Sequence, residues 1–178
     1  TGASSGVGLC AAEAFARAGA DVAVLARSRD GLERAAARVR AQGRRAVVVP
    51  ADLTDRDAVD AAVARAIEEL RKYRHGLKVM SGGLTISGGE PLMQDRFVVK
   101  LFTAAQGMGI HTALDTNGFL SERLSDGELE KINLVLLDIK TWDAQRHRHL
   151  TGKDVGPTID FARRLAARRA AGGAHCHA

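Results

Sequence analysis

The chain has 178 residues, 46% hydrophobic and 26% charged, a balance that excludes a collagen-like, disulfide-scaffold or wholly disordered protein. No apolar run approaches the roughly 18 residues of a membrane helix, and no signal peptide opens the sequence. The net charge of +5 is spread along the chain and forms no basic footprint, so neither nucleic acid nor a membrane is expected as a partner, and a cytoplasmic setting is the default.

The first segment, Thr1-Gly2-Ala3-Ser4-Ser5-Gly6-Val7-Gly8, leads into apolar residues at Val7, Cys10, Ala11, Ala14, Phe15 and Ala18. That is the spacing of an amphipathic helix, which Gly19 stops, and Cys10 is expected to pack in its apolar face. Val22–Ala26 reads as a buried parallel strand, Asp30–Ala41 as a helix with Gly43 beyond its end, and Ala46–Val49 as a second strand. Thr54 or Asp55 caps a third helix that carries Val59, Ala62, Val63, Ala66, Ile67 and Leu70 on one face. Gly83–Ser87 is a short strand before the turn Gly88-Gly89-Glu90-Pro91, and a helix follows with Phe97, Val98, Leu101, Phe102, Ala105 and Met108 in register. Next come a strand over Ile110–Leu114, a loop at Asp115-Thr116-Asn117-Gly118, a short helix near Asp126–Lys131, a strand over Leu134–Ile139 and a helix over Pro157–Arg169. Residues 170–178 show no periodicity and are expected to be disordered. The alternation of strands and helices is α/β grammar.

The residue vocabulary changes partway. All six Lys, all six His, all three Met, the only Trp and the only Tyr lie after residue 66, whereas residues 1–66 hold ten Arg, no Lys and 20 Ala. The charge balance is nearly the same on both sides, so the break is one of residue choice. Cys10 and Cys176 stand near opposite ends, which argues against a structural disulfide. Cys176 with His175 and His177 is too compressed to wrap a tetrahedral metal ion, and a frayed tail is the simpler reading.

Gly2-x-x-x-Gly6-x-Gly8 opening a helix is a phosphate-cradling arrangement, because glycines admit a close pyrophosphate and the helix N-terminus supplies free N–H groups. Arg27 lies just past the next strand, where a ribose phosphate would sit. Its plain alternative is a solvated charge at a helix entry, and that of Asp52 is a helix cap. With these residues the stretches TGASSGVG, LARSRDGLE and ADLTD resemble the NADP-preferring short-chain dehydrogenases/reductases over residues 1–66. The resemblance implies that Ser4, Ser5, Gly6 and Val7, within the loop from Gly2 to Gly8, line the phosphates. It also implies that Arg27 pairs with the 2′-phosphate and that Asp52 with Leu53 borders the adenine. The family's Tyr-x-x-x-Lys pair is missing, since the only tyrosine, Tyr73, is followed four residues on by Leu77. A working dehydrogenase is therefore not expected.

From about Ile67, strand ends carry Glu90, Asp115, Asp138 and Lys140, on the side where parallel sheets and barrels place their sites. Asp115 and Asp138 at neighbouring ends call for a shared cation or for a lysine such as Lys140. The alternatives are turn glycines, a helix cap at Asp115 and a surface ion pair between Asp138 and Lys140. The phrases SGGEP, ALDTNG and LLDIK at their intervals resemble the pyruvate formate-lyase activating enzymes of the radical S-adenosylmethionine superfamily, over residues 67–169. The resemblance implies that Gly88, Gly89 and Glu90 hold the methionine amino group of S-adenosylmethionine. It implies further that Asp138 and Lys140 contact its ribose and carboxylate, that His147 adds to the carboxylate end, and that Asp115, Thr116 and Asp138 surround a monovalent cation. It also implies a [4Fe–4S] cluster and, as partner, a glycyl-radical enzyme such as pyruvate formate-lyase. The cluster's Cys-x-x-x-Cys-x-x-Cys loop is not in this sequence, and two cysteines cannot replace it.

His111 is expected as a core or edge histidine, His149 as solvated, and the Arg163-Arg164 and Arg168-Arg169 pairs as the wet face of a helix. The glycine loop opens the sequence and the sequence ends where further barrel strands would follow, so a truncated Rossmann-like βαβ unit (1–66) is expected to join a partial parallel (β/α) barrel (67–169). Open parallel edges invite oligomerisation. Three functions compete: an inactive remnant of a glycyl-radical-enzyme activase that binds S-adenosylmethionine, an NADP-binding module without catalysis, and a recombined chain with no activity.

Overall fold

A computed structural model of the chain describes residues 2–4, 6–52, 55–170 and 175–177. Its elements run α1 (Gly6–Arg17), β1 (Val22–Ala26), α2 (Arg29–Ala41), β2 (Ala46–Pro50), α3 (Arg56–Val79), β3 (Gly83–Ile86), α4 (Asp95–Gly107) and β4 (His111–Thr116). They continue with α5 (Asp126–Leu129), β5 (Leu134–Leu137), α6 (Ala144–Thr151), α7 (Gly156–Ala170) and β6 (His175–His177). Short 3-10 turns at Pro91–Gln94 and Ser121–Arg123 precede α4 and α5. The strands form two open parallel sheets, β1-β2 and β3-β4-β5-β6. The fold is α/β, as the sequence pattern requires.

Strand alternation makes the first sheet two-faced. Val24 and Val48 point to one face and are buried with Ala12 and Ala16 of α1 and Leu32, Ala35, Ala36 and Val39 of α2. Leu25 and Val49 point to the other and join Val59, Ala62 and Val63 of α3, Phe97, Val98, Leu101 and Phe102 of α4, and Ile86, Leu114, Val135 and Leu137 of the second sheet. The second sheet therefore shares its core with the back of the first.

Local chemistry sets the helix ends. Ser28 accepts from Gly31 N–H at 3.2 Å at the start of α2, and Asp55 accepts from Asp57 N–H at 2.9 Å at the start of α3. Thr54, the other candidate cap, lies outside the described residues. At α5, Ser125 and Glu128 form a reciprocal capping box. Two bonds from Ser125, its hydroxyl first and then its N–H, hold the Glu128 carboxyl below the usual carboxylate range.

Several elements depart from the sequence reading. Cys10 is exposed, because α1 buries the narrow stripe Gly8, Ala12 and Ala16 and turns Cys10 and Phe15 outward. Helix α6 is an addition: Asp143 caps it through Arg146 N–H at 2.6 Å, and Gly152, at φ +70°, ends it. Within the stretch expected to be disordered, Ala170 ends α7 and His175–His177 pair in parallel with β5. That segment follows α7 in the chain and lies at the edge of the second sheet beside β5. Arg164 does not simply face water: it donates to Asp126 at 2.7 Å and to the Leu124 carbonyl at 2.8 Å, while Arg168 reaches Asp126 at 3.3 Å. These bonds fasten α7 to the α5 entry. Among the described residues no helix is long and apolar enough to cross a membrane.

Two outcomes are expected. Phe102 is fully buried, so Phe102→Ala should cost about 3–5 kcal/mol in urea unfolding; a loss under 1 kcal/mol would contradict the shared core. The lowered Glu128 carboxyl contributes stability that is complete above its unfolded pKa and lost as pH falls through the native one. Glu128→Gln should accordingly flatten the acid limb of the stability profile, and an unchanged limb would refute the box.

Candidate functional site

The carboxyl ends of β3, β4 and β5 lie side by side, because the strands pair in parallel with Ile86 opposite Leu114 and Thr116 opposite Leu137. The chain leaves β3 through Gly88 (φ +105°) and Gly89 (φ +46°), a left-handed conformation that side-chain-bearing residues avoid. This sharp turn brings Glu90 back over the end of β4. There its Oε1 accepts from Leu92 N–H at 2.9 Å and from the Thr116 hydroxyl at 2.7 Å, and its Oε2 accepts from Asn117 N–H at 2.9 Å. A carboxylate offers about four lone-pair sites, so one site on Oε2 stays open to a further donor. Glu90 thus stitches the SGGEP turn to the DTN turn and keeps an acceptor at the junction.

One residue before the glycines, the Ser87 hydroxyl donates to Asp115 Oδ2 at 2.7 Å. Both side chains stand on the sheet face opposite Ile86 and Leu114. Asp138 follows β5, its N–H donating to the Thr116 carbonyl at 2.9 Å, and its carboxylate forms an ion pair with Lys140. Glu90, Asp138 and Lys140 therefore gather at adjacent strand ends.

His147 is placed elsewhere in this neighbourhood. It is buried in α6, with Nδ1 at 3.1 Å from both the Lys153 carbonyl and the Thr151 hydroxyl. The Thr151 hydroxyl donates to the His147 carbonyl at 2.8 Å, so the ring hydrogen belongs on Nδ1, pointing to Lys153. His147 secures the 151–153 turn and makes no bond to Asp138 or Lys140 among the described residues. His149 and His111 are exposed.

The side chains of the three residues expected around a cation each have a different neighbour. Asp115 and Thr116 are consecutive strand residues and point to opposite faces. Asp115 bonds Ser87, Thr116 bonds Glu90, and Asp138 pairs with Lys140. Among the described residues no cluster of three or more His, Cys, Asp or Glu could hold a metal ion.

The glycine loop occupies the equivalent end of β1. Ala3 N–H donates to the Leu25 carbonyl at 3.4 Å, and Gly2 and Gly6 have φ of +61° and +54°. A Cβ at Gly8 would stand 2.6 Å from the Gly2 carbonyl oxygen, so only glycine lets the loop fold onto its helix. Ser4 packs against Gly31 of α2, where a Cβ would come within 2.6 Å. Ser5 and Leu53 lie outside the described residues, as does the side chain of Val7. Arg27 and Asp52 are exposed beyond β1 and β2. Tyr73 lies far along α3: it donates to Glu69 at 3.0 Å, which pushes its pKa up, and Arg45 stacks 4.1 Å from its ring centre.

Sequence reasoning did not find the Ser87 hydroxyl, the Asn117 N–H or helix α6. The signal for α6 was present in Asp143 and Gly152. Asn117 acts through its backbone, which leaves no trace in residue type.

Comparison with known proteins gives two family matches. The short chain dehydrogenase model matches residues 1–95, and the Radical SAM superfamily model matches residues 49–176. The pyruvate formate-lyase 1-activating enzyme of Escherichia coli strain K12 is 39% identical over 109 residues, covering 60% of this chain and 44% of that protein. The chain thus spans less than half the length of this curated relative. Among solved structures, a domain of a pyruvate-formate lyase-activating enzyme from Bacteroides vulgatus is 29% identical, with 48% of this chain and 53% of that one covered and a TM-score of 0.43. A short-chain type dehydrogenase/reductase from Mycobacterium marinum is 24% identical, with 65% and 52% covered and a TM-score of 0.42.

The Glu90 arrangement predicts a specific cost. Glu90→Gln replaces one accepting oxygen with an NH2 group that faces an N–H or O–H donor, which should lower stability by about 1–3 kcal/mol. An unchanged urea midpoint would show that the carboxylate does not hold the two turns.

Proposed function

Because the chain belongs to the short chain dehydrogenases over residues 1–95 and to the Radical SAM superfamily over residues 49–176, we propose that it is an activating-enzyme-derived module that binds S-adenosylmethionine without performing radical chemistry. The relatives over the second part support an activating-enzyme-like origin. One observation carries the reading: Glu90 is fixed by three hydrogen bonds at the end of β4, with one acceptor site open beside the Gly88-Gly89 turn. An ammonium group is the donor that such a site takes best. The glycines admit the methionyl moiety close to the backbone, and Lys140, beside Asp138, offers a cation for its carboxylate. The ribose hydroxyls fall to Asp138. His147 orders the neighbouring turn through Nδ1. The partner class supported by the activating-enzyme relatives is a glycyl-radical enzyme.

The residues present do not fit a [4Fe–4S] cluster. Cys10 and Cys176 are the only cysteines, and they are too few for the thiolate set such a cluster needs.

A second reading has its own observation. The glycine loop, closed by the Gly2–Gly8 contact at the N-terminus of the 12-residue α1, is shaped for a phosphate, with Arg27 available to the 2′-phosphate of NADP. Dehydrogenation does not follow, since Tyr73 is tied to Glu69 and Arg45.

Calorimetric titration of the full chain separates the readings. Heat is expected with S-adenosylmethionine, and Glu90→Ala should weaken binding at least tenfold, about 1.4 kcal/mol. Heat with NADPH alone would overturn the first reading in favour of the second, and silence with both in a folded sample would overturn each. Iron analysis after anaerobic reconstitution should find no cluster. About four irons per chain would refute the claim of inactivity.

A further inference from the structure

Asparagine occurs at two positions of the chain, Asn117 and Asn133, and Asn117 is followed by a glycine. In an Asn–Gly pair the backbone nitrogen of the glycine reaches the preceding carboxamide with least hindrance, because glycine carries no side chain to shield it. The fold itself demands this glycine. Gly118 has a φ of +72°, and a Cβ there would stand 2.7 Å from Leu137 Cδ1 and 3.0 Å from Phe161 Cδ1. A chemically labile pair is thereby built into the turn that fixes Glu90.

Both partners in that attack are tethered. Asn117 N–H donates to Glu90 Oε2, and the Asn117 carbonyl accepts from the Thr158 hydroxyl of α7, each at 2.9 Å. The Asn117 carboxamide is held through Oδ1, which accepts from Phe119 N–H at 2.9 Å. Gly118 N–H donates to the Thr116 hydroxyl oxygen at 3.0 Å, and the Gly118 carbonyl accepts from Ser121 N–H at 3.2 Å. The Thr116 hydroxyl in turn gives its own hydrogen to Glu90 Oε1 at 2.7 Å. Asn117 is exposed, so water and hydroxide reach its carboxamide, whereas Gly118 is buried. An amide bonded inside a buried turn gives up its hydrogen only when that turn opens.

We propose that Asn117-Gly118 is a latent deamidation site, held shut by Glu90, Thr116 and Thr158 and released when this turn opens. In the open turn hydroxide removes the Gly118 N–H hydrogen, and the nitrogen attacks Asn117 Cγ. The bond from Cγ to the side-chain nitrogen breaks and ammonia leaves, which closes a succinimide ring. Water then adds at either ring carbonyl and cleaves that carbonyl's bond to the ring nitrogen. The product is aspartate or isoaspartate, formed without any change of oxidation state. In isoaspartate the main chain runs through the former side chain and is one carbon longer. The N–H groups of the two residues then no longer reach Glu90 and Thr116 together, and the stitch between the SGGEP and DTN turns is undone by a covalent change.

The test is peptide mapping by mass spectrometry of the full chain, incubated at mildly alkaline pH, with amide hydrogen exchange followed in parallel. Native Asn117 should deamidate at least tenfold more slowly than Asn117 of the same chain unfolded in urea. Thr116→Val removes both the acceptor of Gly118 N–H and the donor to Glu90, and should speed native deamidation about tenfold. The Gly118 amide should exchange faster by a similar factor, while the Thr112 amide, bonded to Asn133 in the same sheet, keeps its rate. Should that variant fail to fold, Thr158→Val, which removes only the tether from α7, should speed both events several-fold. Equal rates in the native and unfolded chain overturn the proposal, and so does a folded Thr116→Val chain whose Asn117 reacts no faster. Exchange quickened equally at Gly118 and Thr112 assigns the effect to global unfolding and likewise overturns it.

Discussion

A two-stranded parallel sheet has no stable existence by itself, because both of its faces are apolar and each needs a cover. In this chain α1 and α2 cover one face of β1-β2, and the N-terminal half of α3 covers the other through Val59, Ala62 and Val63. Every later element is positioned by that second contact. Helix α4 lies along α3, β3 to β5 lie under α4, and α7 closes the far end through Phe161 and Leu165. If α3 did not bury its apolar stripe on Leu25 and Val49, the two sheets would share no core.

Both candidate ligand sites follow from parallel pairing, yet they are built by different means. The glycine loop offers backbone alone: its shape depends on the Gly2–Gly8 approach and its charge on the helix terminus. The shelf at β3 to β5 depends on a carboxylate, and a carboxylate at a strand end holds its direction only if other donors restrain it. Thr116 and Asn117 supply that restraint from β4, and Leu92 supplies it from the turn after Pro91. A cleft between β1 and β3 separates the two constructions, and Ala3, Gly8, Ser87 and Gly88 all border it.

Strands and long helices were legible because their signals are local and repeated. Val22–Ala26, Ala46–Val49 and the stripe of α4 needed only period counting, and β4 ran two residues past its expected end because Asp115 and Thr116 pair onto β5. What escaped depends on three-dimensional neighbours. Cys10 has the spacing of a buried residue, but only the Gly8, Ala12 and Ala16 side of α1 meets a packed partner. Arg164 and Arg168 read as a wet face until the 121–126 loop supplies its carbonyls and Asp126. Strand alternation sends the Asp115 and Thr116 side chains to opposite faces, where they bond Ser87 and Glu90, pairings that the motif letters do not carry.

The change of vocabulary at residue 66 falls within α3, and the two family matches overlap over residues 49–95. A helix is the element that tolerates such a passage best, since its backbone bonds are internal and no partner register has to be preserved. A strand crossed by the same break would have to keep both its pairing and its side-chain parity. In α3 the requirement is only that the apolar stripe continue at three- and four-residue steps, and Ala62, Val63, Ala66, Ile67 and Leu70 do so, all lying in or against one core. Two lineages of residue choice can therefore share one hydrophobic face, while the strands on either side keep the partners that each lineage specifies.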